Sequence, residues 1–483
     1  MSPSHDQHAQ TRTRQVPRRA SHPAMFLGLG LGLGLAWALS WPGITRAQGA
    51  APVPPPDCTA PTVAAGPSGA YRTAQGEVLS VLPGSAPGPF RLIDFSSGRS
   101  HRLHPAAPLR FQSGQGFDDE HPVAYTYHFT PQSAPAGERP GRWALAIDTA
   151  GQTGTRRAQP IALRERAASF TSGDARLQGR LTLPAEGSGP FKTVVWVHGS
   201  DPVPSVGREW LPHLLASQGI ATLVFDKRGT GCSTGQYVQH FGVLSDDVVA
   251  AVAWLATQPE VDARAIGLAG FSQGGWVAPL AAAKQPSIRF VAVAYGLAMS
   301  MADEDRLEAP LKLRQAGIDD AGVAEFEQVN ALLHRTAREG FRDWQPLEAA
   351  LAQHRDKPWL AETRRQGSWM GLLLQMGLAQ AKATAPAMFT HFFQPFYEPE
   401  PTLQQLTQPM LWLIAGDDIE APPGPTLAVL ERLKRQGKPV SVTVFPNADH
   451  GMQRVEQRGR ERVKGHYAPG YFEALLRWTQ AVR

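Results

Sequence analysis

Cysteine is almost missing from this 483-residue chain: Cys58 and Cys232 are the two present, too few for a cysteine framework or a multi-cysteine zinc site. They could pair in an oxidising compartment, but the expectation for each is a free, small residue. Charge is also sparse, at 18% of residues against 42% hydrophobic. That composition belongs to a globular protein and excludes disorder as the general state of the chain. An excess of one sign is lacking too. Of the net +5, residues 1–47 carry most, with five arginines and one aspartate, and the remainder of the chain is left with +1. No nucleic-acid partner is implied.

The start of the chain reads as an export signal. Arg12, Arg14, Arg18 and Arg19 precede an apolar run from Ala24 to Trp41, and Thr45-Arg46-Ala47 offers a small-residue cleavage site. The rival reading, an uncleaved anchor, is disfavoured because the run is glycine-diluted and short for a bilayer. Residues 1–47 are therefore expected to be removed, leaving a periplasmic or secreted protein with no stable membrane span. Residues 48–75 form a Pro/Ala/Gly-rich leader. From 76 to 168, short apolar runs such as Val78–Leu82 and Trp143–Ile147 are broken by Pro and Gly clusters, the pattern of a small β-rich domain.

A different pattern begins near Phe170. Leu177 to Leu183 alternates like an exposed antiparallel strand, and Thr193 to Val197 is the continuous apolar run of a buried parallel one. Further buried runs end near Phe225, Ala269, Ala294, Ala415 and Phe445, separated mostly by amphipathic helical stretches. The order predicts an α/β fold with a mostly parallel sheet flanked by helices. About a hundred residues interrupt it between Ala294 and Met410. The expected division is core residues 169–297, a helical cap insertion over 298–400, and core again over 401–483. Trp344, Trp359, Trp369, Met370, Met376, Phe392, Phe393 and Phe396 are candidates to line an apolar substrate pocket, or else form the cap's own core.

Gly270-Phe271-Ser272-Gln273-Gly274 lies between an expected strand and an expected helix. A serine at such a turn needs a strained backbone, and its flanking glycines relieve close contacts. The following helix aims N–H groups where an oxyanion forms. His198-Gly199-Ser200 ends the first long strand, so the backbones of Gln273 and Ser200 are the expected oxyanion donors, with His198 shaping the loop. A serine hydroxyl needs an imidazole base. His450, in the loop after the last buried strand, is the candidate, whereas Asp449 is too close in sequence to orient its ring. Among Gly416 to Pro422, Asp418 is the chosen orienting acid and Glu420 the alternative. No metal or organic cofactor is required. Asp226 to Ser233 lacks the phosphate-loop spacing.

Taken in order, His198-Gly199-Ser200, Asp226 to Ser233, Asp246-Asp247, Gly270 to Gly274, Asp418 to Pro422 and Asp449-His450-Gly451 resemble the α/β-hydrolase superfamily. The resemblance is to the branch of serine aminopeptidase-like and prolyl-oligopeptidase-like hydrolases with related esterases. It spans the chain from about Phe170 to the end and implies an α/β-hydrolase fold with Ser272, Asp418 and His450 as triad, and a structural loop at Asp226 to Ser233 whose Arg228 pairs with Asp246 or Asp247. The chain departs from it in a shortened acid loop and in Asp201-Pro202, where similar proteins often carry Gly-Pro. The expected activity is an exported serine hydrolase acting on a small-molecule ester, with a peptide substrate and aminopeptidase or other peptidase activity as the alternative. A reading of another class is a surface or glycan-binding protein with a degenerate hydrolase domain. Oligomeric state is not addressed by the sequence.

Overall fold

The computed structural model describes residues 66–84, 89–132, 142–458 and 461–482. The export segment, its cleavage site and Cys58 lie outside the described residues.

The central sheet has eight strands. From one edge they run Val440–Phe445, Met410–Ala415, Val291–Ala294, Val261–Phe271, Phe191–Val197, Ala221–Phe225, Ala175–Leu183 and Arg164–Ser172. The first six are parallel, and the last two attach antiparallel. Strand alternation divides the apolar residues between two cores. Val195, Val197, Trp412 and Ile414 face the core that continues into the cap, whereas Val194, Trp196, Leu411 and Leu413 face the opposite one. This is the α/β-hydrolase fold.

Before it, eight antiparallel strands between Gly69 and Pro160 close into a barrel. Its first strand, Gly69–Thr73, falls within the stretch expected to be leader, and Arg164–Ser172 already belongs to the central sheet. Both boundaries of the β-rich domain therefore sit several residues earlier than the composition suggests. The Pro-rich start hides a strand that gains its partners only from Val78–Pro83 and Thr155–Pro160. The barrel strand Val78–Pro83 serves two cores: Leu79 and Val81 fill the barrel, while Val78 and Leu82 join the second core of the hydrolase. Phe95 extends this seam, 4.9 Å from Phe472 and 6.1 Å from Trp210 between ring centroids.

A hairpin of Gln453–Arg458 and Glu461–Tyr467 also leans on the barrel. Tyr467 N–H donates to Gly98 O (2.9 Å), Arg91 donates to the Tyr467 hydroxyl (2.6 Å), and His466 bonds the Ser100 backbone.

The long insertion is helical, from Met301–Gln315 to Glu400–Gln405. Among the described residues no helix is long and apolar enough to cross a membrane.

Candidate active site

Ser272 sits at the turn between strand Val261–Phe271 and helix Gly274–Lys284, with φ of 52°. A left-handed serine is strained by roughly 1–3 kcal/mol, and the surrounding backbone enforces it by packing too closely for side chains. A Cβ on Gly270 would stand 2.3 Å from Gly274 O, and one on Gly274 2.5 Å from Val197 O. Ser272 N–H donates to Ala294 O at 3.2 Å, which fastens the turn to the neighbouring strand.

His450 Nε2 lies 2.9 Å from Ser272 Oγ, and its Nδ1 lies 2.9 Å from Asp418 Oδ2. The other oxygen of Asp418 accepts the N–H groups of Glu420 (2.9 Å) and Ala421 (2.7 Å). The short acid loop thus curls around its own aspartate. Tyr295 packs edge-on against the imidazole at 5.1 Å. Burial, the largest influence on His450, favours the neutral ring. Asp418 and Glu420 outweigh it, and the imidazole is raised to about 9. Glu420 does not touch the imidazole through a hydrogen bond; it pairs with Lys464 at 3.2 Å. Its own burial is overcome by His450, Lys464 and Lys312, which hold it ionised with a pKa lowered to about 2.

Ser200 and Gln273 border the same cleft as Ser272 and His450, and no protein group accepts either backbone N–H among the described residues. His198 is turned away from the cleft, with Nε2 on Phe225 O at 2.6 Å, and burial followed by Lys227 lowers its pKa to about 3. Arg228 forms a two-pronged pair with Asp247 (2.6 and 2.9 Å), while Asp246 pairs with Lys284 at 2.6 Å. Asp449 accepts from Ile419 N–H and pairs with Arg462. Cys232 is disulfide-bonded, which corrects the expectation of a free thiol there.

In the cap, the structure bears out the second of the two readings of the large apolar residues. Its aromatic residues form the cap's own core: Trp344, Trp369, Met376 and Phe393 line an internal apolar cavity that Ser272 and His450 do not border, while Trp359, Met370, Phe392 and Phe396 pack in the surrounding core. The helix Met301–Gln315, started by a Ser300 side chain that accepts from Asp303 N–H, instead presents Met301, Glu304 and Glu308 to the cleft. Their spacing of three and four places them on one helix face. Glu308 is 2% exposed, pairs with Lys312 through one oxygen, and leaves Oε2 without a partner. Burial first, then Glu420 against the opposing pull of Lys312, raises it to about 7. Glu304 is pushed well above the usual carboxylate range by burial and by Glu308. With Glu420, three carboxylates converge on the cleft, a feature the sequence reading missed. The Asp303-Glu304-Asp305 run resembles an ordinary solvated face, and only the recurrence of acid at Glu308 hinted otherwise.

A family model described as X-Pro dipeptidyl-peptidase (S15 family) matches residues 152–451. The thiohydrolase aneE of Aspergillus aculeatus is 35% identical over 118 residues, which are 24% of this chain and 36% of that protein. The chain thus spans little more than a third of that relative's length. An acylaminoacyl peptidase from Pyrococcus horikoshii superposes with a TM-score of 0.42 at 15% identity, covering 85% of this chain and 55% of its own. A Pyrococcus furiosus esterase superposes with a TM-score of 0.39 at 18% identity, covering 60% of this chain and 84% of its own.

Proposed function

This chain belongs to the X-Pro dipeptidyl-peptidase (S15) family of serine hydrolases, and from that premise we propose that it cleaves an amide or ester next to a protonated amine, through an acyl-enzyme on Ser272. The observation that carries the chemistry is the unbroken chain Ser272 Oγ, His450, Asp418, with both links at 2.9 Å. Ser272 Oγ attacks the carbonyl carbon as its proton passes to His450 Nε2, and Asp418 stabilises the resulting imidazolium. The carbonyl oxygen becomes an oxyanion held by the N–H groups of Ser200 and Gln273. Collapse breaks the bond to the leaving group, which takes the proton from His450. Water, deprotonated by the same imidazole, then releases the acid and restores Ser272.

The substrate preference rests on the cap wall. An apolar cap favoured a neutral ester in the sequence; the wall facing Ser272 instead carries Glu304 and Glu308. A buried carboxylate oxygen without a partner is costly, and an ammonium group would satisfy it. The family description, a peptidase removing X-Pro dipeptides, supports the same choice. Fluorophosphonate labelling followed by mass spectrometry tests the nucleophile; an adduct on any residue but Ser272 defeats the reading. Turnover of dipeptidyl anilides with free and with N-acetylated amines tests the substrate. Equal rates for the two would return the choice to neutral esters. Export is part of the proposal, supported by the Arg-flanked apolar run and by the disulfide at Cys232. A mature N-terminus other than Gln48 in periplasmic or secreted material would require a different processing site.

A further inference from the structure

Among the buried cations that take no part in the catalytic steps above, Lys227 stands closest to the oxyanion loop, bonded to its backbone. Lys227 follows the strand Ala221–Phe225 and is 2% exposed. Its ammonium donates to Gly199 O at 2.7 Å and stands 5.1 Å over the ring of Tyr237. The Tyr237 hydroxyl donates in turn to Ser200 O, and Gln239 donates to that hydroxyl at 3.1 Å. Two successive carbonyls of the loop after strand Phe191–Val197 are therefore clamped from the same side.

Burying an ammonium group is expensive even where it is hydrogen-bonded. Burial lowers its pKa to about 7 against the opposing pull of Asp201 and Glu209, neither of which forms a direct hydrogen bond or ion pair with it. The contact it does make has a geometric consequence. A trans peptide points the C=O of one residue and the N–H of the next in opposite directions, and the Gly199–Ser200 bond is trans. Drawing Gly199 O toward Lys227 turns the Ser200 N–H away from it, and Ser200 borders the cleft with Ser272 and Gln273. The hydrogen bond to Gly199 O holds the peptide's orientation whether or not Lys227 is protonated, and in the protonated form it also polarises the peptide, which strengthens the Ser200 N–H as a donor to a forming oxyanion.

We infer that Lys227 is a positioning residue of the oxyanion site, acting through the Gly199–Ser200 peptide with Tyr237 as its second clamp. This rests on the reading of Ser272 as nucleophile. Its test is Lys227→Met, which keeps the side chain's bulk. The folded variant, judged by an unchanged thermal transition, loses kcat by about 10²–10³-fold, the usual effect of an oxyanion donor lost, while KM moves little. A boronate that forms a tetrahedral adduct on Ser272 loses affinity by a similar factor. Tyr237→Phe shows the same pattern with a smaller loss, and it decides the matter should Lys227→Met fail to fold. Wild-type kcat in the folded variant, a loss confined to KM, or undiminished boronate affinity overturns the inference; so does wild-type kcat in Tyr237→Phe. Failure of the wild-type enzyme to take up fluorophosphonate on Ser272 would instead overturn the reading beneath it.

Discussion

Asp418, behind the His450 imidazole, and Glu308, on the wall of the cleft, are both buried carboxylates, and they are satisfied very differently. Asp418, on the sheet side, holds His450 with one oxygen and two backbone N–H groups with the other. Glu308, on the cap side, gives one oxygen to Lys312 and leaves the other unpartnered. The sheet wall is locked before any substrate arrives, as preorganised catalysis requires. On the cap wall, that unpartnered oxygen is the group the proposed ammonium would satisfy.

The largest test of this contrast replaces the two candidate acids. Asp418→Asn should cost about 10⁴ in kcat, because the amide leaves the imidazole in the wrong tautomer. Glu420→Gln should leave most of kcat, because Glu420 bonds Lys464 and not the ring. It should nevertheless move the acid limb of the pH–rate profile downward. Removing a negative charge beside His450 lowers an imidazole now raised to about 9, so the neutral base forms at lower pH. If Glu420→Gln proved the more damaging of the two, the acid would have to be reassigned.

Next in size is the cap wall. Glu308→Gln should raise KM for a free-amine dipeptidyl anilide by about 10- to 100-fold, the scale of one lost charge-assisted hydrogen bond. The penalty on the N-acetylated analogue should be distinctly smaller. Steady-state kinetics on the pair of substrates reads this directly, and equal penalties would make Glu308 a structural charge only. The smallest effect expected is in pH. With Glu308 raised to about 7, acidification through that value protonates it and removes its attraction for ammonium. KM for the free-amine substrate should climb several-fold between pH 8 and 6, and KM for the acetylated one should stay flatter.

The two walls were also unequally legible in the sequence. Ser272 is flanked by Gly270 and Gly274 because backbone approaches within 2.5 Å of their missing Cβ atoms, so the constraint is written into residue types at fixed spacing. Asp418 and His450 follow the consecutive strands Met410–Ala415 and Val440–Phe445, and chain order alone ranks them, although the second is an edge strand with Val444 exposed and not the buried run its residues suggest. The acid loop stayed open between Asp418 and Glu420 because its shortened length puts either carboxylate in contention, and both prove to be buried. What distinguishes them is which one receives the backbone N–H groups, a matter of loop conformation. Glu304 and Glu308 left only a faint trace, an acid recurring four residues on. A helix face becomes a cleft wall only through the packing of an insertion, and nothing local distinguishes that face from a solvated one. The barrel was visible as a β-rich region, but closure depends on pairing Gly69–Thr73 with Thr155–Pro160 across most of the domain.

The hairpin that leans on the barrel has a practical bearing. Its Lys464 donates to the backbone of His450 and pairs with Glu420, while its far end is fastened to Gly98, Ser100 and Arg91. Anyone trimming this protein to a minimal enzyme at residue 164 would strip the cover from Trp210 and Phe472 and unhitch the strand that steadies the catalytic loop. The hydrolase is not a cassette to be cut out and transplanted, because the barrel is tied through this hairpin to the loop that carries His450.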